Sequence, residues 1–261
     1  MSESKYSFEI VPPRSLSQID DLMKLLARLE PCWVNVTNHR DFNGAMRTSI
    51  YVKENFAMKP AMHLRVGDPI SGLLDRLSEH GIEDLFLVRG EDDGRPFASE
   101  LVRKVRAIDL GRRFRVGVAG YPQKHRDAPD LESDIRNLKA KVDQGADYIL
   151  SQMFFDNRAF YQWVDRCRAA GIEVPIIPGL IPLTEPLIGL IGGLFSVPIL
   201  QLLRRGVTRS KAFGLEWMLE QIKDLRDNGY AHVHIFVMND MPMVERIVGR
   251  LMPQEVTLDA Y

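Results

Sequence analysis

Eight times along this chain a short apolar run ends on polar residues and gives way to a segment in which apolar residues recur every three or four positions. The short runs read as strands and the periodic segments as helices. Strands joined by crossovers of that length lie parallel, which confines the chain to the α/β class. Residues 116–156 show the unit most clearly. Val116, Val118 and Ala119 form a run that stops at Gly120, and Tyr121, Pro122 and His125 occupy a polar loop. Leu131, Ile135, Leu138 and Val142 then share one helix face, Gly145 closes the helix, and the strand over 148–150 ends on Ser151 and Gln152.

The remaining strands are expected over 6–10, 33–36, 60–64, 85–88, 174–177 and 232–237, and the other helices over 16–29, 47–56, 70–80, 97–108, 158–170, 211–228 and 242–251. Eight such units in about 250 residues predict a (β/α)8 TIM barrel, a single domain over 1–261, with 252–261 as a tail. An open, doubly wound sheet is the competing topology, although no GxGxxG lies between a strand and a helix. Residues 180–206 have no clean period and are interrupted by Gly189, Gly192, Gly193 and Pro198, so one short helix and a mobile loop are expected there.

With 45% hydrophobic residues in 261, the chain can bury one large core. A net charge of -1 argues against nucleic acid as a partner, while local pairs such as Arg112–Arg113 and Arg204–Arg205 still offer sites to a phosphate. Cys32 and Cys167 show neither metal-ligand spacing nor a CxxC pair, as expected of free thiols in a reducing cytoplasm. No apolar signal region opens the sequence, and glycines and Pro198 break the most hydrophobic window, 187–203, so neither export nor a membrane partner is expected.

A barrel gathers the C-terminal ends of its strands on one face, where Glu9, Thr37, His63, Arg89 with Glu91, Tyr121 with His125, Gln152 and Asn239 would become neighbours. That set is rich in hydrogen-bonding groups and poor in metal ligands, so no metal site is expected. Glu9 stands between apolar residues and before two prolines, where desolvation would raise its carboxyl pKa and suit it to general-acid work; an ion-paired or exposed glutamate is the alternative. His63 reads either as a satisfied core histidine or as a base, and Arg89 as a partner of a phosphate or of Glu91. Asp134, Asn137 and Lys141 form a stripe that is either solvated or, with the Tyr121–His125 loop, the wall of a site for an elongated phosphate-bearing ligand.

Four ordered motifs, SFEIVPPR at 7–14, VGVAGYPQKH at 116–125, LKAKVDQGADYILSQMFFD at 138–156 and PIIPGLIP at 175–182, make the chain similar to the methylenetetrahydrofolate reductase family in its short bacterial form. The resemblance implies a (β/α)8 barrel that holds FAD at the strand C-termini. It implies that a hydride passes from NAD(P)H through flavin to 5,10-methylenetetrahydrofolate, giving 5-methyltetrahydrofolate. By the same resemblance Glu9 is the acid that protonates N10, and Gln152 binds the folate. Thr37, His63, Arg89, Gly90, Ala98, Tyr121, His125, Asp134, Asn137 and Lys141 fall on flavin-contact positions, and Gln201 and Asn239 on the substrate rim. Glu91 takes the place of an aspartate that lies near flavin and pterin and stabilises the folate cation.

The chain departs from the family at Ala140, where some bacterial members carry arginine, and in a shortened stretch over 183–209 that lacks an expected pocket phenylalanine. A flavin-independent, NADH-dependent reductase and a non-catalytic barrel that binds folate or flavin therefore stay open. So does a homo-oligomeric state.

Overall fold

A computed structural model describes residues 5–38, 41–90, 97–195 and 197–252. Its elements follow in the order β1 (Lys5–Ile10), α1 (Asp20–Ala27) after a 3-10 turn at Leu16–Ile19, β2 (Val34–Val36), α2 (Phe42–Phe56), β3 (Pro60–Arg65) and α3 (Leu73–Glu79). β4 (Asp84–Val88), α4 (Ala98–Ile108), β5 (Arg115–Gly120), α5 (Leu131–Asp143), β6 (Tyr148–Ser151) and α6 (Asn157–Ala169) come next. The chain continues through β7 (Ile176–Ile177), β8 (Gly179–Leu180), α7 (Glu185–Leu194), α8 (Gln201–Arg209), α9 (Phe213–Asp227), β9 (His232–Phe236) and α10 (Met241–Leu251).

Every strand pairing is parallel, in the order β7-β6-β5-β4-β3-β2-β1-β9-β8. β7 and β8 are the halves of one strand bent at Pro178, the first pairing with β6 and the second with β9. His234 N–H donates to the Pro178 carbonyl at 2.9 Å, and Gly179 N–H to Ser151 Oγ at 2.9 Å, so the seam is closed from both sides. The ring is the expected TIM barrel, and the open sheet is excluded. At the seam Gly179 is required, because a Cβ there would stand 2.2 Å from the Ser151 carbonyl oxygen.

Strand residues alternate between the barrel interior and the helical layer. Phe8, Ile10, Val34, Val36, Met62, Leu64, Val116 and Val118 face outward and form the main core with Leu22, Met23, Leu26, Leu101, Leu138, Trp163 and other helix residues. The polar residues between them, Ser7, Glu9, Asn35 and His63, therefore lie inside the ring. This alternation places a carboxyl, an amide and an imidazole inside the ring, with the apolar strand residues turned to the helices.

Two expectations are corrected. α2 begins at Phe42, not residue 47, because Asp41 caps it by accepting from Gly44 N–H at 2.7 Å; Asn43 and Gly44 in the first turn hide the helical period. The stretch expected to hold one short helix and a mobile loop holds two helices, α7 and α8. α7 is apolar around most of its circumference and contains three glycines, so it shows no amphipathic period. No described helix is long and apolar enough to cross a membrane. Cys32 and Cys167 are free, and most of the proposed tail, 253–261, lies outside the described residues.

Candidate active site at the barrel mouth

Glu9 enters the ring because its neighbours Phe8 and Ile10 are anchored under the helices. Its side chain keeps 17% of its exposure and faces His63, with Oε2 3.5 Å from Nε2. Burial pushes the Glu9 carboxyl up to about 8 and the His63 imidazole down to about 3. Both shifts favour uncharged forms, so at neutral pH the contact is a protonated acid beside a neutral imidazole rather than an ion pair. Asn35 Nδ2 lies 3.2 Å from the same His63 nitrogen.

Glu9 and His63 open into a cavity of 260 Å³ that is also lined by Thr37, Arg89, Gly90, Tyr121, His125 and Gln152. Thr37 Oγ1 is buried with no hydrogen-bond partner among the described residues, a polar atom left for a ligand. The Gln152 side-chain oxygen, Oε1, accepts from Met153 N–H at 3.0 Å, which leaves the side-chain NH2 as a donor to the cavity. Gly90 holds φ +87°, and a Cβ there would press on the Arg65 guanidinium at 2.8 Å.

A second cavity, of 190 Å³, adjoins the first and shares Val88, Arg89, Ala119, Tyr121 and His125 with it. Its own walls come from Phe97 and Ala98 at the start of α4 and from Asp134, Asn137 and Lys141 on α5. The loop between β5 and α5 is shaped by Lys124, at φ +76°, whose ammonium donates to the carbonyls of His125, Arg126 and Ala128. Asp134 Oδ2 accepts from His125 N–H at 3.0 Å, and the Tyr121 and His125 rings meet edge to face at 4.6 Å. Lys141 donates to the Ala119 carbonyl, and its ammonium lies 6.0 Å from the centre of the Tyr121 ring. Burial lowers the Lys141 pKa to about 8 against the opposing pull of Asp134. Burial also pushes the Tyr121 hydroxyl up to about 12, which leaves it a neutral hydrogen-bonding group.

This donor set suits an anionic ligand. Arg89, Lys141 and His125 supply N–H donors, Asn137 adds an amide, and the start of α4, where Phe97 offers no side-chain cap, presents backbone N–H groups beside Ala98. Arg89 is already ion-paired with Asp127, so an incoming phosphate would exchange one anion for another. An extended molecule with an aromatic head in the first cavity and a phosphate-bearing arm in the second fits the two connected spaces.

The structure thus brings Glu9, Thr37, His63, Arg89, Gly90, Ala98, Tyr121, His125, Asp134, Asn137, Lys141 and Gln152 together around two joined cavities. Gln201 does not join them: it is exposed at the start of α8 and lines neither cavity. Asn239 is spent on structure, accepting from Val11 N–H at 3.0 Å and donating to its carbonyl at 2.7 Å, which ties the end of β9 to that of β1. Glu91 lies outside the described residues.

Sequence reasoning missed Asn35, Arg65, Phe86, Phe195, Phe236 and Met238. Arg65 and Phe236 sit two residues beyond His63 and His234 on the same strand faces, so strand alternation alone would have found them. Phe195, just past α7, carried no such signal, yet it places an aromatic ring on the first cavity from the stretch that lacks the family's expected phenylalanine.

The sequence matches the family profile described as Methylenetetrahydrofolate reductase over residues 1–252. It is 30% identical to Methylenetetrahydrofolate reductase 1 of Schizosaccharomyces pombe across 94% of this chain and 45% of that protein. It is 33% identical to the 5,10-methylenetetrahydrofolate reductase of Escherichia coli across 69% of this chain and 64% of that protein. The chain therefore spans about half the length of the eukaryotic relative and less than two thirds of the bacterial one. Among solved structures, a Clostridium thermocellum protein described as binding two copies of 5-methyl-5,6,7,8-tetrahydrofolic acid shares the fold, with a TM-score of 0.62 at 14% identity over 95% of this chain and 94% of that one.

Proposed function

The chain belongs to the methylenetetrahydrofolate reductase family, and on that premise we propose that it reduces 5,10-methylenetetrahydrofolate to 5-methyltetrahydrofolate at the barrel mouth, with FAD as cofactor and NAD(P)H as reductant. One observation carries the reading: a buried carboxyl, its pKa raised by desolvation, on the wall of a cavity that adjoins a second one bearing Arg89 and Lys141. The chemistry a bound FAD supplies is hydride relay from NAD(P)H to the folate carbon.

Everything else falls to the chain itself. Lys141, Arg89, Asn137 and the start of α4 would hold the diphosphate of the cofactor, while Tyr121 and His125 offer aromatic faces where the two cavities join. Gln152 donates from its NH2 to the pterin and orients it. Phe195, Phe86 and Phe236 exclude water from the reacting carbon. Glu9 gives its proton to N10 of the folate and so opens the five-membered ring to the 5-iminium cation that accepts hydride. A carboxyl of ordinary pKa would carry almost no proton at pH 7; Glu9 holds one because it is desolvated and faces an uncharged imidazole. Two free thiols suit such an enzyme to the reducing cytoplasm.

The test is spectroscopic. The purified protein should show a flavin spectrum near one per chain, be bleached by NAD(P)H in stopped flow and recover its colour with methylenetetrahydrofolate. Glu9→Gln should still be bleached but recover about 10²–10⁴-fold more slowly, the usual worth of general-acid catalysis. A colourless, active protein would favour flavin-independent reduction instead, and normal recovery in Glu9→Gln would remove Glu9 from the acid role.

A further inference from the structure

β2 is buried along its three residues, and its middle residue, Asn35, is polar between Val34 and Val36. The two valines pack outward, which turns the amide into the ring, in register with Glu9 on β1 and Ala61 on β3. From there Asn35 Nδ2 reaches His63 Nε2 at 3.2 Å, and Glu9 Oε2 lies 3.5 Å from the same nitrogen. One imidazole nitrogen thus stands between an amide and a carboxyl.

A neutral imidazole has one N–H and one bare nitrogen. With hydrogen on Nε2, His63 would donate to the Glu9 carboxylate and stabilise the charged form. With Nε2 bare, its single lone pair takes the Asn35 N–H, which lies within hydrogen-bond reach, while the carboxyl oxygen stands too far off for a good O–H···N bond.

We propose that Asn35 is a positioning residue: by donating to His63 Nε2 it holds the imidazole in its Nδ1–H form, denies Glu9 an N–H partner, and leaves the Glu9 proton uncommitted at the cavity. The inference rests on the reading of Glu9 as the acid. The charged and titratable groups on β1 and the strands around it are Lys5 and Tyr6 on β1, His63 and Arg65 on β3 and His232 and His234 on β9, with Arg89 after β4 on the same cavity, while β2 brings none. His63 and His234 are buried and held neutral, His63 by desolvation and His234 by desolvation and its neighbouring histidines. The hydrogen that His63 presents, 3.5 Å from the carboxyl, therefore bears directly on the charge of Glu9.

Two measurements on the full chain test this. Nitrogen-15 histidine spectra of the wild-type protein, with the His63 signal identified by its loss in His63→Gln, should show the Nδ1–H tautomer; an Nε2–H tautomer overturns the proposal even if no Asn35 variant folds. In Asn35→Leu, nearly isosteric but without the donor, the Glu9 carboxyl carbon should titrate about one pH unit lower than in wild type. The alkaline limb of folate-dependent flavin reoxidation should move with it, so that at pH 8 the rate relative to its plateau falls several-fold, up to about tenfold. A merely structural role would lower the rate at every pH without moving the Glu9 titration, and that result also overturns the proposal. Should the Glu9 titration shift while the protein turns over no folate, the assignment of Asn35 holds and the proposed activity fails.

Discussion

Glu9 shows how much one side chain owes to its neighbours. The folded chain keeps its proton up to about pH 8, whereas an unfolded chain gives it up near 4.5. The native state therefore binds more protons than the unfolded one between those values, and its stability falls as pH rises through that window. At about 1.4 kcal/mol per pH unit, Glu9→Gln should stabilise the protein by up to about 3 kcal/mol at pH 7 and by almost nothing at pH 4. Urea denaturation of both proteins at the two pH values checks this; equal stabilities at pH 7 would mean that Glu9 is ionised in the native state. A gain in stability on removing the acid is the behaviour of a group held for chemistry at a cost to the fold.

Among the elements, the bent strand formed by β7 and β8 decides whether the ring closes. The Gly179 backbone passes so near Ser151 that a methyl group would strike a carbonyl oxygen at 2.2 Å and the Phe236 ring at 2.8 Å. Backbone on one side and a packed ring on the other leave little room to yield, so Gly179→Ala should cost about 3 kcal/mol, the upper range for overpacking. Gly189→Ala is the contrasting case. That glycine lies in α7, where an added methyl would meet nothing within 4 Å, and the change should stabilise the helix by about 0.5–1 kcal/mol. Chemical denaturation of the two variants side by side distinguishes a seam that must stay bare from a glycine that helix formation merely tolerates. Phe236 also lines the first cavity, so a disturbed seam reaches the site as well as the core.

For the whole molecule, the polar barrel interior predicts acid lability. His63 is depressed to about 3 and His232 to about 4 by burial, and His234 is also well below its ordinary value. Unfolding below pH 6.5 lets all three take up protons that the native state refuses, so stability should fall by up to about 4 kcal/mol per pH unit between roughly pH 5.5 and 4, eased by the opposite slope of Glu9. Thermal melts across pH should peak near 6.5, and His234→Phe should flatten the acid side; a profile level down to pH 4 would contradict the burial of these imidazoles. The barrel itself was legible in the sequence because strand and helix periods alternate eight times, and the ends of the apolar runs marked Glu9, His63 and Gln152 as strand-end groups. α7 and the early start of α2 were not legible, since glycines and an even apolar coat erase the period that betrays a helix.

The sequence by itself determined the order of strands and helices, the family, and which residue types stand at the strand ends, because these follow from local periodicity and contiguous motifs. Only the tertiary structure decided that the seam closes at Gly179, that Phe195 completes the cavity wall, that Asn239 braces Val11, and that Asn35 and Glu9 meet at one nitrogen of His63. Those facts depend on distances between residues remote in the chain. The charge of a buried group is set by such distances and by the water they exclude, which periodicity cannot report.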